Sequence, residues 1–232
     1  MDTQTTSSSQ FYKNVVAVPL ADRLMLRARQ QMFRHFMRLM APQPETTLLD
    51  VGVTCDIAFE GSNYLEHAYP HKSRITCVGI EDGSHLEKQF PGLRFLRVEP
   101  GQRLPFEDKV FDIAYSNAVV EHVGCAANQR AFTTELCRVG KRVFLATPNR
   151  WFPVEHHTGI PFLHWAPKTL WRKVLRGTQF DFYSYESHLN LLTETEFRTL
   201  FPPELPVKTL KCGLGFGLFR SNLIACTPMN RL

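Results

Sequence analysis

The sequence lacks a long apolar run, a metal- or redox-spaced cysteine pair, a basic block and a complete dinucleotide glycine loop. Each absence removes a class of function. No stretch of the 232 residues reaches the roughly 18 consecutive apolar residues that a spanning helix needs. The cysteines stand at 55, 77, 125, 137, 212 and 226, never as C-x-x-C, which argues against a zinc knuckle or a thioredoxin-type pair. Several lie inside apolar runs such as Ile75-Thr76-Cys77-Val78, where a reduced thiol behaves as a small hydrophobe. The formal net charge of +5 is dispersed along the chain, whereas nucleic-acid binding wants a clustered basic stripe; no nucleic-acid partner is expected. No G-x-G-x-x-G follows the first strand candidate, which disfavours a nicotinamide-dependent oxidoreductase. The start, Met1-Asp2-Thr3-Gln4, has neither a basic n-region nor an apolar h-region. The expected compartment is the cytoplasm.

What remains is an ordinary globular balance, with 44% hydrophobic and 21% charged residues. The length suits one ample domain carrying a sizeable insertion. Residues 1–10 are mostly Thr, Ser and Gln, so a mobile segment is expected over 1–19, followed by a single domain over 20–232. Apolar periodicity predicts a helix over Leu20–Met40 with Arg23, Arg27, Arg34 and Arg38 on its polar surface. Such a helix either docks on its own domain or lies on a membrane.

After Pro42 and Pro44, short apolar runs predict strands at Thr47–Val51, Arg74–Ile80, Leu93–Val98, Phe111–Tyr115 and Arg142–Ala146. Helical stretches lie between them near Asn63–Ala68, Ser84–Gln89 and Asn128–Cys137. Strands alternating with helices imply an α/β domain built on a parallel sheet covered on both faces. The pattern breaks from Pro148 to about Asn190, a stretch holding all three tryptophans and several histidines. It is too long for an ordinary connection and reads as a functional insertion. A helix at Glu194–Leu200 follows, then strands at Val207–Lys211 and Asn222–Cys226. Between these, Gly213-Leu214-Gly215-Phe216-Gly217 mimics part of a phosphate loop, but without a following Lys-Ser/Thr it reads as a turn.

Three motifs carry the chemistry. Leu48-Leu49-Asp50-Val51-Gly52 is an apolar strand ending in an acid and a glycine, at the strand end where α/β sheets bind ligands. Val78-Gly79-Ile80-Glu81-Asp82 repeats that ending and puts an acid where a ribose diol could be held. The longest is Leu104-Pro105-Phe106-Glu107-Asp108-Lys109-Val110-Phe111-Asp112-Ile113-Ala114-Tyr115-Ser116-Asn117-Ala118-Val119-Val120-Glu121-His122-Val123. This run resembles the signature of the class I S-adenosylmethionine-dependent methyltransferases of the type 11 family. Thr147-Pro148-Asn149-Arg150-Trp151-Phe152-Pro153-Val154-Glu155 resembles the strand-five exit of one bacterial branch of that family.

The resemblance covers roughly residues 20–200. It implies a Rossmann-like fold with a mostly parallel seven-stranded sheet, helices on both faces and an antiparallel terminal strand, and it implies S-adenosylmethionine as cofactor. It places Asp50 and Gly52 beside the methionine end of that cofactor and Glu81, or its neighbour Asp82, on the ribose hydroxyls. Gly101 and Gln102 fall beside the adenine, and Ser116 near the methionine moiety. The acceptor implied is a small molecule or a lipid-linked group bound against the insertion, where Trp151, Phe152, Phe162 and Trp165 could line an apolar pocket.

Two departures from the family stand out. Its first motif is usually G-x-G-x-G, whereas this chain reads Gly52-Val53-Thr54-Cys55-Asp56, with side chains that restrict backbone approach to a ligand. Pro100 stands where the family often has an aspartate, and proline offers no N–H. Asp50 and Glu81 are also further apart than in the dinucleotide fingerprint, which implies extra chain near Phe59–Asn63. A non-catalytic binding protein with a degenerate cofactor loop is therefore the alternative. If the acceptor is a hydroxyl, a general base is needed, and the candidates are His122, His157 and Glu155, with His156 nearby. Glu121-His122 resembles part of a metal site found in some ubiquinone-type O-methyltransferases. Ala118 stands where that site has a carboxylate, so no metal is expected.

Overall fold

The chain was analysed as a computed structural model, which describes residues 19–56 and 61–228. The expected mobile segment lies outside the described residues except for Pro19, as do residues 59 and 60 of the extra chain near Phe59–Asn63. Helix α1 (Pro19–Met40) precedes strand β1 (Leu48–Val51), and the order continues α2 (Tyr64–Ala68), β2 (Ile75–Gly79), α3 (His85–Gln89), β3 (Arg94–Arg97) and β4 (Phe111–Asn117). Then come α4 (Ala126–Val139), β5 (Gly140–Pro148), α5 (Lys168–Leu175), α6 (Glu194–Arg198), β6 (Lys208–Cys212) and β7 (Asn222–Cys226).

All four residues of β1 are buried, as a parallel strand covered on both faces requires. Alternation sends its side chains into two layers. Leu48 joins Met32, Phe36, Met40, Ile75, Tyr115 and Phe144 on one face. Leu49 and Val51 join Leu136, Leu145, Phe197 and Leu223 on the other. In α1 the spacing Met32, Phe36, Met40 forms the buried stripe. Phe36 sets its ring edge-on to Tyr115 and to Phe144, each at 5.3 Å. The apolar face of this helix thus docks on the domain's own sheet. Among the described residues, no helix is long and apolar enough to cross a membrane.

The seven strands are ordered β3-β2-β1-β4-β5-β7-β6. β1 to β5 run parallel, and β7 runs antiparallel to both β5 and β6. The chain leaves the sheet centre in opposite directions after β3, so the switch point lies between β1 and β4. Register decides what else reaches that rim. Pro148 at the end of β5 pairs with Asn222, and Asn222 pairs with Cys212. The glycine-rich turn after Cys212 therefore lies at the same rim as the exits of β1, β2, β4 and β5. A cleft among Phe201, Pro202, Leu205 and Pro228 lies toward the opposite end of the sheet, away from every candidate residue.

The insertion has a small core of its own, with Trp171, Leu175, Tyr183, Leu189 and Leu191 buried together. Helix α5 was not expected from the sequence. Its Leu170, Trp171, Val174 and Leu175 fall on one arc of the helix, with Trp171 and Leu175 buried and Leu170 and Val174 exposed, but eight residues are too short a window for the period to stand out. Helix α6 begins with a reciprocal capping box between Thr193 and Glu196.

Candidate active site

At the β1 exit the chain turns sharply. Gly52 takes φ +99°, and a Cβ there would overlap the Val119 side chain. Both facts demand glycine. The Gly52 amide donates to the Val78 carbonyl at 2.8 Å. Beyond it, Thr54 and Asn63 close the loop with a reciprocal pair: the Thr54 amide donates to Asn63 Oδ1 at 3.0 Å, and Asn63 Nδ2 donates to the Thr54 carbonyl at 2.8 Å.

The sequence candidates divide between the rim and the interior. Glu81 is half-buried at the β2 exit and accepts the Cys55 thiol at 2.6 Å. Its neighbour Asp82 instead accepts the Ser84 amide at 3.0 Å in a local turn. Gly101 and Gln102 are exposed, and nothing lies within 4 Å of where a Gly101 side chain would begin. Asp50 and Ser116 turn inward. Ser116 is fully buried and donates its hydroxyl to the Val51 carbonyl at 2.7 Å, tying β4 to β1. Asp50 is buried beside Glu66, a helical carboxyl that also accepts the Cys77 thiol at 3.1 Å. Burial, and then the Glu66 carboxylate, hold the Asp50 carboxyl well above the usual range, while Arg29 of α1 pulls the other way.

The β4 exit and the insertion meet in a second cluster. Glu121 and His122 sit on a short 3-10 turn, and the insertion folds back so that His157 Nε2 lies 3.2 Å from His122 Nε2. His157 Nδ1 contacts Glu155 Oε1 at 2.7 Å, and His122 Nδ1 contacts the His188 carbonyl at 2.7 Å. Glu155 also accepts the backbone amides of His157 and Thr158. Glu121 is fully buried; its Oε2 accepts the Thr147 hydroxyl at 2.9 Å, while its Oε1 has no hydrogen-bond partner.

The electrostatics follow from these contacts. Burial, with His157 adding to it, pushes His122 down to about 3, so its imidazole is neutral near neutral pH. His157 shifts upward: burial opposes its charge, but the Glu155 carboxylate and its hydrogen bond win. Burial alone would raise Glu155, yet the His157 charge and N–H donors bring it down to about 2. Burial raises Glu121. His156 is pushed down to about 4 by burial and stacks on Phe152 at 5.2 Å. It stands apart from the cluster, with Nε2 3.4 Å from the Ser221 carbonyl.

The aromatic group gathers only in part. Trp165 lies 6.1 Å from Trp151 and 4.9 Å from Phe162, and stacks at 5.6 Å on Phe219 of the glycine-rich turn. Phe152 belongs with His156 instead. Asn149 holds the wall in place by donating to the carbonyls of Leu218 and Arg220. Arg150 does the same for the insertion through the carbonyls of His164 and Ala166.

Sequence reasoning missed several residues. Glu121 was visible beside His122 but had no partner to argue from. Asn190 closes the insertion onto the β4 exit: its amide donates to the Glu121 carbonyl at 2.7 Å, and its Nδ2 to the Gly124 carbonyl at 2.9 Å. Arg29 lies within electrostatic reach of Asp50, Glu121 and His156. Neither residue carries a local signal.

A family model described as a methyltransferase domain matches residues 55–143. No curated protein sequence matches the chain. Among solved structures, the chain resembles a SAM-dependent methyltransferase from Aquifex aeolicus with a TM-score of 0.55 and 13% identity, covering 96% of this chain and 98% of that one. The N-methyltransferase NodS from Bradyrhizobium japonicum, in complex with S-adenosyl-L-homocysteine, matches with a TM-score of 0.52 and 11% identity over 86% of each chain. Geranyl diphosphate C-methyltransferase from Streptomyces coelicolor matches with a TM-score of 0.52 and 14% identity, over 91% of this chain and 79% of that one. The two differ in the atom they methylate, so the shared fold does not choose an acceptor. The chain has the Rossmann-like fold of class I methyltransferases, and within it residues 55–143 match the methyltransferase domain.

Proposed function

We propose that the chain transfers a methyl group from S-adenosylmethionine to an O, N or C atom of a small-molecule or lipid-linked acceptor. The observation that carries this reading is the convergence at one sheet rim of the acid-bearing β2 exit and a histidine–carboxylate cluster, in a chain whose residues 55–143 match a methyltransferase domain. When bound, the cofactor supplies an already activated methyl group. The protein's part is to orient the acceptor and exclude water, which can contribute several kcal/mol to the barrier.

The residues present fit such a ligand. Glu81 can accept ribose hydroxyls in place of the weak Cys55 thiol donor. Gly101 and Gln102 leave room for the adenine. Gly52 shapes the turn beside the methionine end, and Arg29 offers a cation for that end's carboxylate. Ser116 acts through the fold, by holding the β1 exit in place, and Asp50 by its buried contact with Glu66. On the acceptor side, His122 is the base candidate, with His157 and Glu155 positioning its ring and charge. The Trp165–Phe219 wall, with exposed Phe162 and Phe216 beside it, suits an apolar acceptor. We place the chain in the family branch with the Thr147–Pro153 motif, whose Asn149 and Arg150 hold the wall and the insertion. The six cysteines form no disulfide, which suits a reducing compartment such as the cytoplasm. The dispersed basic charge argues for no nucleic-acid partner.

Calorimetric titration with S-adenosylmethionine and S-adenosylhomocysteine tests the reading. Saturable binding is expected, weakened at least tenfold in Glu81→Ala; folded protein that binds neither at millimolar concentration rules the enzyme out. The Cys55–Glu81 contact, within a loop that has lost its glycines, favours a second reading as a non-catalytic binding protein. Bound cofactor without turnover across diverse acceptors would select it.

A further inference from the structure

The short distance between two imidazole nitrogens at the β4 exit has to be explained. His157 Nδ1 faces a carboxylate oxygen and His122 Nδ1 faces a backbone carbonyl. Both partners can only accept, so each Nδ1 carries the proton. In the neutral rings, both Nε2 atoms then present lone pairs to one another across 3.2 Å. Something electrophilic belongs between them. A single shared proton would satisfy the two rings, but it would leave Glu121 Oε1 with nothing. That oxygen is fully buried, lacks a hydrogen-bond partner, and lies 3.9 Å from His122 Nε2. A buried carboxylate oxygen without a partner is costly, and a cation answers all three atoms at once.

We propose that Glu121, His122 and His157 bind a divalent transition-metal ion of the zinc class. Their donor atoms all lie within 4.8 Å of one another. Ligand atoms around tetrahedral zinc, at bonds of about 2.0–2.1 Å, sit about 3.3 Å apart, so the ring pair at 3.2 Å already has the spacing, and the Glu121 oxygen, 3.9 Å from His122 Nε2, has to move inward on binding. Two imidazoles and one carboxylate are the donors such an ion takes in three-ligand sites. The surrounding shell is built as metal sites build it. Histidine ligands hand their second N–H to a carboxylate or a carbonyl, and ligating carboxylates are themselves hydrogen-bonded. Here Glu155, the His188 carbonyl and the Thr147 hydroxyl fill those places.

The sequence argued against a metal because Ala118 stands where a carboxylate would be sought one turn before Glu121. The structure brings the third donor from the insertion instead, which no spacing rule along the chain would reveal. Three protein ligands leave a coordination position open, which would take an oxygen of the acceptor, the ion then replacing His122 as the group that favours loss of that oxygen's proton; this last step rests on the proposed methyl transfer. It narrows the acceptor to one presenting a hydroxyl or enol oxygen.

The test uses the full chain, stripped with chelator and then titrated with zinc and, separately, with cobalt as a spectroscopic probe. One ion per chain is expected, with the visible bands of low-symmetry four-coordinate cobalt. Affinity should fall at least 100-fold in His157→Ala and in Glu121→Gln. His122→Gln supplies a third variant should either of these fail to fold. S-adenosylhomocysteine binding, measured on the same proteins, should be retained. Its loss from the wild-type protein would count against the methyltransferase reading and leave the metal result standing. Absence of stoichiometric metal in the folded wild-type chain would overturn the proposal, as would affinity unchanged across the folded variants. A strongly downfield imidazole proton in metal-free protein that persists with excess zinc would also overturn it, by showing a shared proton in the ion's place.

Discussion

Val119 lies against the open face of Gly52, so that the β4 exit and the β1 turn are fitted to each other with no room for a side chain between them. The eroded glycine motif thus keeps its one glycine where both backbone and packing require it. The later positions, Thr54, Cys55 and Asp56, carry side chains and are held by local hydrogen bonds instead.

Gly52→Ala is therefore expected to destabilise the protein by about 2–4 kcal/mol, since overpacking and a strained positive φ each cost about 1–3 kcal/mol. Urea unfolding measures it. Adding Val119→Ala should recover the packing share and leave the backbone share. A Gly52→Ala protein as stable as the parent would contradict the placement of these two residues.

Asp50 predicts a pH dependence. Its folded pKa is raised, by burial first and by Glu66 next, so the native state holds the proton more tightly than the unfolded chain. This contribution to stability is fully present below the ordinary value of 3.8. It is lost as pH rises toward the folded pKa and is constant above that. Asp50→Asn mimics the protonated form without titrating. Its melting temperature should vary less than the parent's between about pH 4 and neutrality, as scanning calorimetry would show; parallel curves for the two proteins would remove Asp50 as the cause.

Thiol labelling reads both the core and the proposed cofactor site. Cys77, Cys137, Cys212 and Cys226 are buried, Cys125 is exposed and Cys55 is intermediate. Burial also raises the buried thiols, Cys137 to about 11 and Cys212 to about 12, so they stay protonated and unreactive at neutral pH. Iodoacetamide on the folded protein should modify Cys125 quickly, Cys55 slowly, and the others only after denaturation. S-adenosylhomocysteine should protect Cys55 and leave Cys125 unaffected, as peptide mass spectrometry would resolve. Equal rates at Cys55 with and without ligand would argue that Glu81 is not part of the cofactor site.

Asn190→Ala should release the insertion. Its side-chain amide serves Gly124 and Gln129, and its Oδ1 accepts Lys168 Nζ at 2.9 Å. Leaving these buried partners unmet costs about 2–3 kcal/mol. Limited proteolysis is expected to cut between residues 149 and 190 well before the sheet domain is attacked. An insertion as resistant as in the parent would show that the aromatic wall, rather than Asn190, holds it down.

Much of the architecture was legible because it is local. The strands at 47–51, 111–115 and 222–226 announce themselves as short apolar runs, and their alternation with helical stretches calls for a parallel sheet. Gly213–Gly217 could be read as a turn from its glycines and its missing lysine. The α5 helix escaped detection because it runs only eight residues, between Pro167 and Gly177, too few turns for its single apolar arc to stand out. Asp50 and Ser116 looked like ligand contacts from their places in the motifs, yet side-chain direction is set by strand register, and register turned both inward.

The sequence by itself determined the fold class, the strand ends where ligands gather, and the identity of the acids and histidines available there, because composition and period act over a few residues. The tertiary structure alone decided which of them meet. It brought His157 across 35 positions to His122 and left a buried oxygen of Glu121 unpartnered beside them. It also turned the loop of the last hairpin toward the same rim as Gly52. Long-range contacts of this kind follow from sheet order and the return of the insertion, and neither leaves a trace in local spacing. The glycine at the β1 exit shapes the rim, and the chemistry proposed there comes from the β4 exit and the insertion that folds back onto it.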